Sequence, residues 1–149
     1  MKRAIPVAAV AAVLFVVNIA GRYLSPTGND ATTYNMQTMV GVVAATVMGL
    51  FALGVGLYWS MRVPLQRVVS ELGLGLLIGA ALAVFVAPLT LAMNPFSADF
   101  GLLLAELIIF FGIEVLGAFV GFMIAATFGI DYRSKNLKRV ERYYGRKSH

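Results

Sequence analysis

Four long apolar stretches, separated by short polar ones, organise the chain. They cover residues 4–24, 36–60, 65–91 and 99–128. At about 1.5 Å of rise per residue, a helix of any of these lengths crosses a bilayer core about 30 Å thick. The pattern predicts an all-α fold in which residues 1–129 form a compact bundle of four transmembrane helices.

The first apolar stretch also has the outline of a secretory signal peptide, because it follows the basic residues Lys2 and Arg3. It is longer than a typical signal-peptide core, and the sequence near Asn18 is a poor match to a cleavage site between small residues. We therefore expect an uncleaved first helix, with cleavage as the alternative.

The connecting segments carry signals for turns and helix caps. Residues 25–34 (SPTGNDATTY) are rich in turn-forming residues and predict a loop. Pro64 suits the first turn of the third helix, where its missing N–H costs nothing. Residues 93–98 predict a tight turn, after which Ser97 or Asp99 caps the fourth helix.

Composition supports a membrane protein and locates its charge. Apolar residues make up 60% of the chain and charged residues only 13%, against about 25% charged in a soluble domain. The net charge of +5 comes entirely from the tail, residues 130–149. Its basic residues are Arg133, Lys135, Lys138, Arg139, Arg142, Arg146 and Lys147.

The tail predicts a basic helix that lies on an anionic membrane surface and contacts lipid headgroups or an acidic partner. A solvated, partly disordered tail is the alternative. Nucleic acid is not an expected partner, because anionic headgroups lie nearer to a segment that follows a membrane span.

The distribution of basic residues also predicts orientation. Lys2, Arg3, Arg62, Arg67 and the tail fall on one side of the predicted bundle, whereas Arg22 stands on the other side with acidic residues nearby. By the positive-inside rule, both termini are expected in the cytoplasm. The richness in Ala, Val and Gly and the lack of Cys favour a bacterial inner (plasma) membrane.

Small residues at a spacing of four predict where the helices pack closely. In lipid, close backbone approach through small side chains replaces the hydrophobic force between helices. The predicted packing residues are Gly41 and Gly49 in the second helix, Gly75, Gly79 and Ala83 in the third, and Gly117 and Gly121 in the fourth.

Ionisable residues within the predicted spans are candidates for function. A charge at mid-bilayer costs at least about 2.5–3.5 kcal/mol, so such residues should face protein or water. Glu106 lies at a depth comparable to Asn18 and Arg22 near the end of the first helix, which predicts a contact between them. Glu71, one turn after Arg67, is expected to form a structural ion pair with it.

Glu114 lies close to the middle of the fourth span and has two open interpretations. It is either a neutral glutamic acid that bridges two helices, or a carboxylate that exchanges a proton or cation or contacts a partner subunit. The depth of Glu114 along its helix does not distinguish them.

The sequence predicts no enzyme, no bound cofactor and no metal site. It has no Cys and only one His, His149, which excludes thiolate and histidine-based ligation or catalysis. Catalytic motifs for hydrolases and nucleotide binding are missing. We expect an accessory subunit or assembly factor of a larger membrane complex, or a homo-oligomer. The alternative is a small oligomeric transporter or channel that uses Glu114 and Glu106; a lipid-modifying enzyme ranks third.

Overall fold

A computed structural model describes residues 4–28, 30–92 and 99–145 of the chain. This part of the chain contains five helices. They are α1 (Ala4–Leu24), α2 (Ala31–Ser60), α3 (Leu65–Leu91), α4 (Phe100–Thr127) and α5 (Tyr132–Gly145). These residues contain no strand, and the all-α prediction is confirmed. The four helices α1 to α4 are long and apolar enough to cross a membrane.

Several sequence predictions concern residues outside these described ranges. They are the tight turn at 93–98 with Ser97, and the charges of Lys2, Arg3, Arg146 and Lys147.

The bounds of α1 and α4 agree closely with the predicted spans. Both ends of α4 have strong local signals. Asp99 precedes α4, and its Oδ1 accepts a hydrogen bond of 3.2 Å from the Gly101 N–H. After α4, Gly129 adopts the left-handed conformation with φ of 60°. The N–H of Ile130 donates back to the carbonyl of Ala125 at 3.0 Å, which closes the helix end.

α2 begins at Ala31, earlier than the predicted residue 36, so the predicted loop at 25–34 is too long. Asp30 precedes the helix, and its carbonyl accepts from the Tyr34 N–H at 3.0 Å. The Gln37 side chain donates to the Pro26 carbonyl at 2.9 Å and holds the shortened loop against the helix. The polar first turn is hidden from a hydropathy pattern, which detects only the apolar part of a helix.

α3 matches the predicted span 65–91 in extent but departs from regular α-helix. Two π-helical turns, Val68–Leu72 and Leu82–Val86, interrupt it, and a 3-10 segment with Pro88 ends it. In a regular α-helix, residues four apart drift by about 40° per step around the axis. The wider π-turns rotate less per residue and offset this drift. The buried residues Gly75, Gly79, Ala83 and Ala87 therefore keep one face.

That face of α3 packs on α1. A Cβ placed on Gly75 would lie 3.3 Å from the Val7 carbonyl oxygen, and one on Gly79 would lie 2.8 Å from Leu14 Cδ1. Leu14 itself has no exposed surface. The small-residue ridge of α3 therefore receives the larger side chains of α1.

The α2–α4 contact is the most extensive in the bundle and brings the two backbones together. A Cβ on Gly117 would lie 2.2 Å from the Gly49 carbonyl oxygen, and one on Gly121 would lie 2.1 Å from that of Leu53. Gly56 lies equally close to Ala118. Only glycine permits these approaches, because a methyl group at either place would overlap the neighbouring backbone.

Gly41 does not belong to this contact, which corrects the prediction that it packs against another helix. A Cβ on Gly41 would meet no atom within 4 Å. The residue is exposed and lies beyond the part of α2 that approaches α4. A spacing of four identifies a common helix face, but it does not show how far along that face the neighbouring helix extends.

α5 turns back beside the connection between α2 and α3. Asp131 Oδ2 accepts hydrogen bonds from the N–H groups of Arg133 at 3.0 Å and Ser134 at 3.3 Å, so it caps the helix. Lys135 Nζ approaches the Met61 carbonyl oxygen at 3.5 Å. Hydrogen bonding to Ser134 holds the pKa of Asp131 below its ordinary value.

Alanine at Gly117 or Gly121 is expected to lower the thermal unfolding midpoint in detergent. Each added methyl group would force the α2 and α4 backbones apart, at a cost of about 1–3 kcal/mol. Gly112→Ala is the matched control on α4, because a Cβ there meets nothing within 4 Å. Equal midpoints for the three variants would contradict the close packing of α2 and α4.

Asp131→Ala is expected to speed amide hydrogen exchange in α5 about fivefold through loss of the cap, whereas Asp131→Asn retains slow exchange. Because the folded pKa lies below 3.8, the carboxylate cap is present above that pH and is lost as pH falls through the folded value. Glu141→Ala, late in the same helix, is the control. Unchanged exchange in Asp131→Ala would show that α5 does not depend on its cap.

Candidate functional site

Arg22 joins three helices near the end of α1. Its Nε donates to Asn18 Oδ1 at 2.9 Å within α1, and its Nη2 contacts Glu106 Oε1 of α4 at 2.6 Å. The same Nη2 approaches the Ala83 carbonyl oxygen of α3 at 3.3 Å. Of the two predicted contacts of Glu106, with Asn18 or with Arg22, the one with Arg22 is present. Asn18 hydrogen-bonds to Arg22.

The Ala83 carbonyl is free to accept this contact because of the local form of α3. Ala83 lies in the second π-turn, and the Ala87 N–H donates to Leu82 rather than to Ala83. In a π-turn, the donor for Ala83 would come from residue 88, which is proline and has no N–H. Pro88 and the π-turn therefore leave an acceptor that the Arg22 guanidinium can reach.

The Arg22–Glu106 contact uses only one atom from each charged group. Within the described residues, Arg22 Nη1 donates no hydrogen bond and Glu106 Oε2 accepts none. The two side chains remain 25% and 37% exposed. Arginine and carboxylate groups frequently pair through two parallel hydrogen bonds. This single contact leaves the donor Nη1 and the acceptor Oε2 unused, on two groups that touch each other.

A cavity of about 460 Å³ opens beside this pair, and we call it the Arg22 cavity. Residues from α1 to α4 and from the α1–α2 loop line it. They include Asn18, Arg22, Pro26, Gln37, Val40, Gly41, Leu91, Glu106 and Phe110. Arg22 and Glu106 are its two charged residues, so its lining carries no net formal charge.

Glu114 is fully buried inside the bundle. Its exposure is 0%, and neither carboxylate oxygen has a hydrogen-bond partner in the described part of the chain. It lies one turn beyond Phe110, about 6 Å further along α4 from the Arg22 cavity, and does not line that cavity.

Within the described residues the Glu114 side chain forms no hydrogen bond to another helix, which corrects the interpretation that it bridges two helices. Exchange of a proton or cation, and contact with a partner subunit, stay predictions.

The predicted ion pair between Glu71 and Arg67 is not present. Arg22–Glu106 is the ion pair found among residues 4–28, 30–92 and 99–145. Residues four apart share a face in an α-helix, but the first π-turn, Val68–Leu72, changes the rotation between Arg67 and Glu71. Glu71 is half-buried and Arg67 is exposed.

Two further concave surfaces lie towards the tail end of the bundle. A cavity of about 630 Å³ separates α5 from the α2–α3 connection and is lined by residues such as Ser60, Val63, Leu137 and Val140. A groove of about 780 Å³ lies between α3 and α4 and is almost wholly apolar; we call it the α3–α4 groove. Val68, Leu72, Gly73, Phe111, Val115 and Phe119 are among its lining residues.

Sequence reasoning missed two contributors to the site. The role of the Ala83 carbonyl was missed because the hydropathy pattern does not reveal a π-turn. Pro88 could have indicated it, because a proline has no N–H to donate to a carbonyl in the preceding turn. Gly21 was also missed: a Cβ there would lie 3.0 Å from Ala44 Cβ, so it brings α1 and α2 together beside the cavity.

A double-mutant cycle with Arg22→Met and Glu106→Gln should show coupling of about 1 kcal/mol in the free energy of unfolding, the typical net value of a hydrogen bond. Arg67→Met with Glu71→Gln is the matched control and should show no coupling, because those two side chains do not pair. Equal coupling in the two cycles would contradict the assigned contacts.

Glu114→Met should raise the thermal unfolding midpoint, because it replaces a buried carboxyl group without partners by an apolar side chain of similar length. A buried polar group without a partner costs about 1–3 kcal/mol. Glu114→Gln is the control, since it keeps a polar group in the same place and should gain little. A lower midpoint for Glu114→Met than for Glu114→Gln would show that the carboxyl group stabilises the fold.

Comparison of the chain with known protein families, with curated proteins and with solved structures finds no match.

Proposed function

We propose that the chain is a multi-pass protein of the cell inner membrane, with both termini in the cytoplasm, that acts without catalysis as an accessory subunit or assembly factor of a larger membrane complex. The observation that carries this proposal is the α3–α4 groove. It is a concavity of about 780 Å³ that α3 and α4 leave between them, whereas α2 and α4 approach until their backbones touch.

The lining of the α3–α4 groove favours a transmembrane helix of a partner protein as its occupant. Ser70 is the one polar side chain among the described lining residues, so the occupant is apolar. Gly73 and Ala118 both line it, and a Cβ on Gly73 would meet no atom within 4 Å. Small residues on a groove floor let a second helix backbone approach, which is how helices associate in lipid.

The basic helix α5 supports the proposed orientation. Arg133, Lys135, Lys138, Arg139 and Arg142 lie within it, and Lys135 approaches the α2–α3 connection, which carries Arg62. Positive charge is thereby concentrated at one end of the bundle, as expected of a cytoplasmic face. These side chains would contact anionic headgroups or an acidic segment of the partner.

A second candidate, proton- or cation-coupled transport, is favoured by Glu114 alone. A buried carboxyl group without a partner stabilises nothing that the structure displays, and such groups in membrane segments commonly serve proton or ion movement. Glu114 does not line the Arg22 cavity, which Phe110 lines one turn earlier along α4, so this function requires a side chain to move or water to enter.

Filling the α3–α4 groove should release the partner. A Cβ at Gly73 would meet no atom of this chain within 4 Å, so Gly73→Leu should extend a side chain into the groove, fold normally and lose co-purifying subunits in native mass spectrometry. Gly112→Leu is the matched control on α4, outside the described groove lining, and should retain them. Recovery of the wild type as a partner-free monomer from its native membrane would refute the accessory role.

The transport candidate has its own test in liposomes. Proton or cation flux should fall at least about tenfold in Glu114→Gln, the loss expected when a positioned proton-transferring group is removed. Equal flux in wild type and variant would eliminate this candidate and leave the accessory proposal unaffected.

A further inference from the structure

We infer that the Arg22 cavity binds a small zwitterion that carries a primary amine and a phosphate joined by a short linker. This binding site is separate from the proposed partner groove, on which it does not depend. Four observations about the cavity lead to it.

The first observation is that Arg22 and Glu106 each contribute only one atom to their contact with each other. Their single contact of 2.6 Å leaves Nη1 of the guanidinium without an acceptor and Oε2 of the carboxylate without a donor in the described part of the chain. A ligand that brings one anionic oxygen and one N–H donor would complete both groups. Since the two vacant atoms flank one short contact, the ligand's own charges must also be close together.

The second observation is the balance of charge. One positive and one negative side chain line the cavity, so a ligand with net charge would leave one of the two less well compensated. A zwitterion with no net charge pairs with both. A quaternary ammonium group satisfies the charge of Glu106 but cannot donate a hydrogen bond to it, which favours a primary amine.

The third observation is that the pair is held in place. Asn18 fixes the Arg22 Nε at 2.9 Å, and the Ala83 carbonyl accepts from Nη2 at 3.3 Å. The guanidinium is therefore fixed by groups other than Glu106, and a ligand need not reorganise it on binding. Such preorganisation lowers the entropic cost of association.

The fourth observation is space beside the pair. The cavity has a volume of about 460 Å³, within the range of about 300–1,000 Å³ found for small-molecule sites. Val40, Leu91 and Phe110 give it apolar walls that would contact carbon atoms, and the exposed Tyr23 also lines it.

An aminoethyl phosphate group has this chemistry and has two sources. It is the headgroup of phosphatidylethanolamine in the adjoining lipid leaflet, or it is free glycerophosphoethanolamine from water, in which the phosphate is likewise a diester with a single negative charge. The lipid source rests on the proposed membrane insertion, whereas the free compound does not.

Native mass spectrometry of the full-length, delipidated protein in detergent tests this inference. Phosphatidylethanolamine should bind at least about tenfold more tightly than phosphatidylcholine or phosphatidylglycerol, because a lost hydrogen bond to a charged group weakens binding by about that factor. Competition by free glycerophosphoethanolamine would show that the headgroup alone is recognised, and binding of the free compound without the lipid would identify water as the source. Equal binding of the three lipids, or no binding of any amine phosphate, would overturn the inference.

Two substitutions by leucine locate the site. Gly41→Leu should fill the cavity and keep the ligand from reaching the charged pair. Loss of even one hydrogen bond to a charged group would weaken binding at least about tenfold. Gly54→Leu is the matched control on α2, because a Cβ at either glycine meets no atom within 4 Å and Gly54 does not line the cavity. Both variants should keep the wild-type unfolding midpoint, and equal affinities in the two would place binding elsewhere and overturn the inference.

Glu106→Gln tests the role of charge balance. It retains an oxygen for Arg22 but gives the cavity a net positive charge, so preference should change from phosphatidylethanolamine to the anionic phosphatidylglycerol. A merely structural Glu106 would lower both affinities together without changing their order, and that result would overturn the assignment.

Discussion

The arrangement of α1, α3 and α4 depends on the need to compensate one guanidinium group among apolar helices. A charge that leaves water requires hydrogen-bonding partners, and Arg22 takes them from Asn18, the Ala83 carbonyl and Glu106. These three partners belong to three different helices. These hydrogen bonds therefore fix the positions of α1, α3 and α4 relative to one another around Arg22. Apolar contacts are not directional and specify such positions less narrowly.

Irregular backbone in α3 makes this compensation available. The π-turn at Leu82–Val86 and the proline that follows remove the intrahelical donors for the Ala83 carbonyl. The same π-turns keep Gly75, Gly79 and Ala83 on the face that meets α1. One local departure from α-helix thus supports both close packing and a polar contact.

Neighbouring helices in the bundle meet in two different ways. Glycines let α2 and α4 approach until their backbones touch, whereas α3 and α4 leave an apolar groove between them. Polar groups separate in a similar way: Arg22 and Glu106 line an open cavity, and Glu114 is enclosed with no hydrogen-bond partner among the described residues. The proposed functions follow from the groove, the Arg22 cavity and the enclosed carboxyl group.

The sequence by itself determined the number, order and approximate bounds of the four long helices, since length and apolar character are local properties. It also indicated Asp99 as one of two candidate caps of α4 and the shared depth of Glu106 with Arg22. Only the tertiary structure decided that Arg67 and Glu71 stay apart, that Gly41 faces a cavity and that Glu114 is enclosed. Each of these depends on helix rotation and on where a neighbouring helix ends, which residue spacing does not encode when π-turns change the rotation.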